Sequence, residues 1–268
     1  MANLVAYDEA MTEDYVDGAP HIKHASLRTL YSELVLDVFE FARSTTEVPS
    51  VLDLGAGEGS VTVPFLELGA EVVAVDISHS QLALLKLRCE KYSERLRVRE
   101  EDINETLSTV DEDFDVIVVN SFLHHVPDYL GMIQEAVQRL KPGGQFFSFH
   151  DPLRYDSLTP TTRAFTSAAY FSWRVFKGDV FGGLLRRLRR ARGIYIEDSK
   201  FDNAEYHVTR NGVDQEAICK FFDEAGFEYR LITYFSSQSS LFQPLGEKLN
   251  MHNSFGIIAR NGSAKSRS

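Results

Sequence analysis

Cysteine is scarce in this chain. Its two cysteines, Cys89 and Cys219, stand far apart, and neither has a second ligand at metal-type spacing, so neither a disulfide framework nor a zinc site is expected. Both fall in helix-patterned stretches, LLKLRCEKY and EAICKFFDEAGF, which read as buried or half-buried free thiols. Positive charge is also short. The 28 Lys and Arg face 39 Asp and Glu, a net charge of −11, which argues against a nucleic-acid partner because the phosphate backbone rewards cations. One local exception, Arg186-Arg187-Leu188-Arg189-Arg190-Ala191-Arg192, reads either as a patch for phosphate or acidic substrate or as the solvated face of a helix. No apolar run is long enough to span a bilayer, and the opening MANLVAYDEAMTEDY lacks a basic region followed by an apolar core. A cytoplasmic chain with no membrane partner is therefore expected. Internal repeats and low-complexity tracts are missing as well, and the polar residues 262–268 read as a disordered tail.

What the chain does have is a core. At 268 residues and 44% hydrophobic content it can fill one α/β domain with an addition, or two small domains. The most informative stretch is VLDLGAGEGS, Val51 to Ser60. An apolar run breaks into Gly55-Ala56-Gly57-Glu58-Gly59, then resumes in a helix-like segment, Ser60 to Leu68. A strand that feeds a helix through glycines leaves backbone N–H groups available, and the glycines admit a ligand where a Cβ would collide. Glu71 to Val75 reads as a second buried strand ending in Asp76, where an acidic side chain would hold the two hydroxyls of a ribose. An adenosine-type ligand across the ends of two parallel strands follows.

The remaining chain extends that pattern. Residues 1–25 are acidic and irregular, and read equally as a lid over the ligand or as a loop on the sheet edge. Ser26 to Ala42 places Leu27, Leu30, Leu34, Val38 and Phe41 on one helical face. After the first two strands come a helix at Ser80–Glu94, a short strand at Leu96–Arg99, a continuously apolar strand at Phe114–Val119 and a helix at Tyr129–Leu140. Lys141-Pro142-Gly143-Gly144 reads as a breaker turn before a fifth strand, Gln145–Phe149. Such alternation means a parallel sheet with helices on both faces. Residues 153–210 depart from it, aromatic, then basic, and read as an inserted helical cap. A helix over Val213–Ala225 precedes two closing strands, Phe227–Phe235 and Ser254–Arg260, joined by a polar loop rich in Ser and Gln.

Five blocks in order, VLDLGAGEGS, VVAVDIS, EEDIN, FDVIVVNSFLHHVPD and RLKPGGQFFSFHDP, resemble the class I S-adenosylmethionine-dependent methyltransferases. The resemblance covers residues 48–152 well and the final helix and strands more loosely. It implies a Rossmann-like, doubly wound, mostly parallel seven-stranded sheet with an antiparallel last strand. The expected division is a lid and helix at 1–47, the cofactor-binding core at 48–152, the substrate cap at 153–210 and the rest of the core at 211–261. By the same resemblance Asp53, Gly55 and Gly57 surround the methionine portion of S-adenosyl-L-methionine, with Gly59 serving close helix packing. Asp76 takes the ribose hydroxyls with Ile77 against the adenine, Asp102 and Ile103 meet the adenine, and Asn120 lies along the methionine. Tyr15, His21 or Arg28 would meet the cofactor carboxylate.

The activity implied is in-line methyl transfer to a small-molecule acceptor, O-methylation before N-methylation, with S-adenosyl-L-homocysteine as product, in a setting such as natural-product biosynthesis. His124, His125 and His150 follow strands four and five beside the expected transfer point. Each reads as a general base or as a residue that shapes its loop. Tyr155, Tyr170, Phe171 and Trp173 read as the walls of the acceptor pocket or as the cap's own core. Asp151 with Asp128 or Glu197 could take a divalent ion, but nothing in their spacing demands one and no metal is expected. A monomer or homodimer is expected. Three other readings compete: a protein of this fold that uses the cofactor without transferring methyl, a binding protein that has only kept the fold, and an NAD-dependent oxidoreductase.

Overall fold

The computed structural model describes residues 19–176 and 211–262. The chain divides into two compact units. One comprises Met1–Arg28, Pro152–Gly212 and Thr233–Ser254, and the other Thr29–Asp151, Val213–Ile232 and Phe255–Ser268. In chain order the helices among the described residues are α1 (Pro20–Lys23), α2 (Ala25–Arg43), α3 (Thr62–Leu68), α4 (His79–Arg88), α5 (Ile103–Thr109), α6 (Tyr129–Val137), α7 (Pro160–Phe176), α8 (Gln215–Glu224) and α9 (Phe242–Lys248). The strands are β1 (Ser50–Leu54), β2 (Glu71–Asp76), β3 (Leu96–Glu100), β4 (Phe114–Asn120), β5 (Leu140–Pro152), β6 (Phe227–Tyr234) and β7 (Ser254–Asn261).

The second unit carries nearly all of the sheet, in the order β3-β2-β1-β4-β5-β7-β6. Strands β1 to β5 pair in parallel, and antiparallel strands close the sheet, so the expected doubly wound architecture is present. Every residue of β4 is buried, as a strand covered on both faces requires. The order reverses between β1 and β4, the point at which open α/β sheets bind ligands. Helix starts follow side-chain capping: Ser78 accepts from the Gln81 N–H, Asp128 from Gly131 and Asp214 from Ala217. At the opposite end of the strands from the glycine turn, Asp115 accepts from the Ser50 N–H, the Ser50 hydroxyl and Lys141 Nζ, each at 2.8 Å.

Several elements differ from expectation: helix α5 was not expected, and the helix expected at Ser80–Glu94 ends at Arg88, with Glu90–Arg95 a separate 3-10 segment. Helix α3 begins at Thr62 and not Ser60, because residues 55–61 are spent on the turn. The Lys141–Gly144 stretch does not break the chain ahead of the fifth strand. Phe114 pairs with Leu140 and Val116 with Gln145, so residues 141–144 form a bulge inside β5. Gly144 belongs there, since a Cβ would come within 2.9 Å of the Lys141 carbonyl oxygen and 3.1 Å of that of Phe114. The polar loop before β7 holds helix α9, which rests its Gly246 on the ring of Phe235 where no Cβ fits.

In the first unit, Phe165 meets Phe235 and Phe242 edge-on at ring separations of 5.5 and 5.2 Å. Asn253 ties the chain entering β7 to Ser236, accepting its N–H at 2.8 Å and donating to its carbonyl at 2.9 Å. The α1 segment is fastened by Lys23 Nζ to the Gln238 carbonyl and by His24 Nε2 to the Ser237 carbonyl, both at 2.8 Å. Among the described residues, no helix is long and apolar enough to cross a membrane.

Candidate functional site

The second unit gathers polar residues at the carboxyl ends of β1, β2 and β4. Parallel register sets this, because Asp53 pairs with Ala74 on one side and Val118 on the other, and each strand then ends within a few residues. Asp53 is 1% exposed. Its Oδ2 accepts from the Thr62 hydroxyl at 2.6 Å, and its Oδ1 has no partner among the described residues. Burial pushes its carboxyl up to about 7, against the Thr62 hydrogen bond, which favours the ionised form. Asn120 presents the same situation at the end of β4: its Nδ2 donates to Ser60 Oγ at 3.2 Å, and its buried Oδ1 is unpartnered.

The glycine turn runs between them with Gly55 and Gly57 at φ 77° and 54°, conformations that favour glycine. The two glycines differ. A Cβ on Gly55 would lie 2.5 Å from the ring of Phe122, whereas a Cβ on Gly57 would find only Gln81 Oε1, at 3.9 Å. Gly57 thus leaves an open cradle, and the buried Gln81 Oε1 beside it is a third acceptor without a partner. Asp76 holds the turn, accepting the Gly57 and Ser78 N–H groups at 2.9 Å each. Ile77 next to it is 38% exposed. Asp102 is exposed and caps α5 by accepting from the Asn104 N–H at 2.8 Å, and Ile103 beside it is buried.

Beyond β4 the chain turns through Phe122 into a short 3-10 segment, Leu123–His125. His124 Nδ1 lies 2.7 Å from Oδ1 of Asp151, on β5. The same oxygen accepts the His124 backbone N–H at 3.2 Å. The His125 ring stands 4.2 Å from that of His124, and His150 sits beside Phe149 at 6.1 Å. Ser121 and His150 both adopt left-handed backbone, at φ 52° and 67°, where the paired strands give out.

The remaining expected residues lie elsewhere in the chain. Tyr15 and the arginine run at 186–192 fall outside the described residues. His21, Arg28, Tyr155, Tyr170, Phe171 and Trp173 belong to the first unit. Burial lowers His21 to about 4. Arg28 is exposed and donates to the Ile22 and Lys23 carbonyls at 2.6 and 3.1 Å. The Arg163 guanidinium lies 5.1 Å over the Tyr155 ring. Tyr170 and Trp173 share a face of α7 with rings 6.0 Å apart, and Phe171 is exposed. Thr62, Gln81 and Phe122 also belong to the site, though no sequence motif marks them. Thr62 was the most findable, as a hydroxyl opening the helix after the glycine turn; Phe122 and Gln81 needed the tertiary structure.

The family model described as a methyltransferase domain matches residues 52–148. The chain is 32% identical over 151 residues to a ubiquinone biosynthesis O-methyltransferase of Ruegeria pomeroyi, covering 52% of this chain and 59% of the relative. It is 31% identical over 97 residues to the protein of the same name from Xanthomonas campestris pv. campestris (strain B100), covering 36% and 41%. The chain therefore spans about two fifths to three fifths of the length of these curated relatives. In fold it is similar to the N-methyltransferase NodS from Bradyrhizobium japonicum WM9, solved with S-adenosyl-L-homocysteine, with a TM-score of 0.52 at 16% identity over 97% of this chain and 98% of that one.

Proposed function

We infer that through residues 52–148, the stretch that matches the methyltransferase domain, this chain is a class I S-adenosylmethionine-dependent methyltransferase, and on that premise we propose that it methylates a small-molecule acceptor, at oxygen before nitrogen. The observation that carries the cofactor site is the set of buried acceptors without partners, Asp53 Oδ1 and Asn120 Oδ1, on either side of a glycine turn that is open at Gly57. S-adenosylmethionine offers matching donors, an ammonium group and two ribose hydroxyls. Asp53 Oδ1 takes the ammonium, Asn120 lies along the methionine and Gly55 and Gly57 admit its chain. Asp76, which holds the turn by accepting the Gly57 and Ser78 N–H groups, takes the ribose hydroxyls. Ile77, Asp102 and Ile103 border the adenine, and Tyr15, His21 or Arg28 meets the carboxylate.

When bound, the cofactor supplies a methyl group already activated by its sulfonium. What this chain adds is alignment of donor and acceptor, exclusion of water and a place for the acceptor's proton. His124, His125 and His150 stand at the strand ends where a base is needed. Tyr155, Tyr170, Phe171 and Trp173, in the segment 153–210, are the proposed acceptor walls. The preference for oxygen is supported by the names of the relatives; the N-methyltransferase of similar fold is the reason nitrogen stays in the test. The net charge of −11 supports a small molecule over nucleic acid.

Calorimetric titration with S-adenosyl-L-homocysteine, with NAD as control, tests the cofactor site. Micromolar binding of the first alone is expected, falling at least tenfold in Asp76→Ala. Binding of NAD, or equal affinity in Asp76→Ala, would overturn the assignment. Labelled S-adenosylmethionine offered with phenol and amine panels then separates oxygen from nitrogen acceptors.

A further inference from the structure

We propose that Phe122 shifts the affinity of this site toward the charged methyl donor and away from its neutral product, its ring serving as a cation–π partner of the sulfonium. This inference rests on the methyltransferase reading above and names a specificity-determining residue within that site. Its physical ground is the place of the ring. Phe122 lies two residues past the end of β4 and leads into the 3-10 segment Leu123–His125. The Ser121 N–H donates to the Phe149 carbonyl at 2.7 Å, and Ser121 then turns left-handed at φ 52°. That turn delivers the Phe122 ring onto Gly55, where a Cβ would stand 2.5, 2.7 and 3.0 Å from three of its carbons. The His125 N–H donates back to the Phe122 carbonyl at 2.8 Å and holds the residue there.

Core packing does not account for this ring. The phenylalanines of β4 and β5, Phe114, Phe146, Phe147 and Phe149, are closed off from solvent, whereas Phe122 is only half-buried. Among the described residues, Lys91 and Arg95 lie over Tyr92, Arg163 over Tyr155 and Arg260 over Phe41, but no Lys or Arg lies over Phe122. The proposed placement sets the ammonium of the cofactor at Asp53 and Asn120 and its ribose at Asp76. The sulfonium between those ends then passes the Gly55–Gly57 length of the turn, which Phe122 borders. A cation at a ring face is attracted by the ring's quadrupole, more strongly where water is displaced.

The preference follows from the change in charge. Methyl transfer leaves the electron pair of the broken carbon–sulfur bond on sulfur, so the product is a neutral thioether. With that product the ring keeps only the weaker sulfur–aromatic contact. Asp53 and Asp76 also attract the cation, but both remain when the ring is replaced, so a change at position 122 isolates the share of the ring.

The ratio of the two affinities is measurable without any acceptor, by calorimetric titration of the full chain with S-adenosylmethionine and, separately, with S-adenosyl-L-homocysteine. Phe122→Leu should lower the ratio of donor to product affinity by about threefold to tenfold, while Phe122→Tyr keeps it. Pentafluorophenylalanine in place of Phe122 retains the shape of the ring and reverses its quadrupole, so it should lower the ratio as Phe122→Leu does. It also serves should the Phe122→Leu chain not fold. Equal losses for both ligands, with the ratio unchanged, would make Phe122 a packing residue of the turn and overturn the proposal. Binding of neither ligand to the unaltered chain would instead overturn the methyltransferase reading beneath it.

Discussion

At the scale of single residues, Asp53 carries the clearest pH signature. Its carboxyl is held near 7 in the folded chain, against 3.8 as its ordinary value. The folded state therefore keeps a proton that the unfolded chain releases, and this share of stability, complete below about pH 4, is lost as the pH rises to about 7. On the proposed placement at Asp53, the ammonium of the cofactor favours the ionised form, so binding below pH 7 must displace that proton. Affinity for S-adenosyl-L-homocysteine should rise by up to about tenfold per pH unit and level off above 7. Calorimetry in buffers of different ionisation enthalpy should register the released proton, and Asp53→Asn should lose both the slope and the release. The two turn glycines give a second contrast. Gly57→Ala meets open space and carries only the left-handed penalty of about 1–2 kcal/mol, whereas Gly55→Ala must also displace the Phe122 ring. Urea denaturation should find Gly55→Ala the less stable of the two; the reverse order would remove Phe122 from the account.

At the scale of elements, the sheet tolerates loss of its outer ion pairs. Asp37 on α2 accepts from Arg230 on β6 at 2.6 Å and from Arg260 on β7 at 3.1 Å, with all three side chains partly exposed. Asp37→Ala should cost no more than about 1 kcal/mol, and less in high salt, by denaturation midpoints at two ionic strengths. Strand and helix alternation was legible because buried central parallel strands are mostly apolar, as Phe114 to Val119 is apart from Asp115, and because Asp and Ser mark helix starts. The bulge at 141–144 was not. Proline and glycine announce a turn, and only the pairing of Phe114 with Leu140 shows that the chain stays in the sheet. Helix α9 was hidden for another reason: Leu241, Leu245 and Leu249 recur at helical spacing, but they are exposed, and the buried positions are Gln243 and Gly246. At the candidate site, the glycine turn and Asp76 could be read from spacing. The pairing of His124 with Asp151 could not, because it depends on two strands ending side by side.

At the scale of the whole molecule, ligand binding should stabilise the fold broadly, since the proposed cofactor residues come from β1, β2 and β4 at once. At a hundred times its dissociation constant, S-adenosyl-L-homocysteine should add about 2.7 kcal/mol, or roughly 5–10 °C in melting temperature for a chain of this size. The gain should be smaller in Asp76→Ala at the same concentration, and an equal shift there would place the ligand elsewhere. The strand order has one more consequence, for biogenesis. Among the described residues β1 is the first strand in chain order, yet one of its neighbours, β4, begins at residue 114. On the ribosome, the apolar β1 strand presents an unpaired edge until those later residues emerge, a template for intermolecular pairing. Translation slowed between residues 60 and 114 should therefore favour aggregation, and fragments ending before β4 should depend most on chaperones.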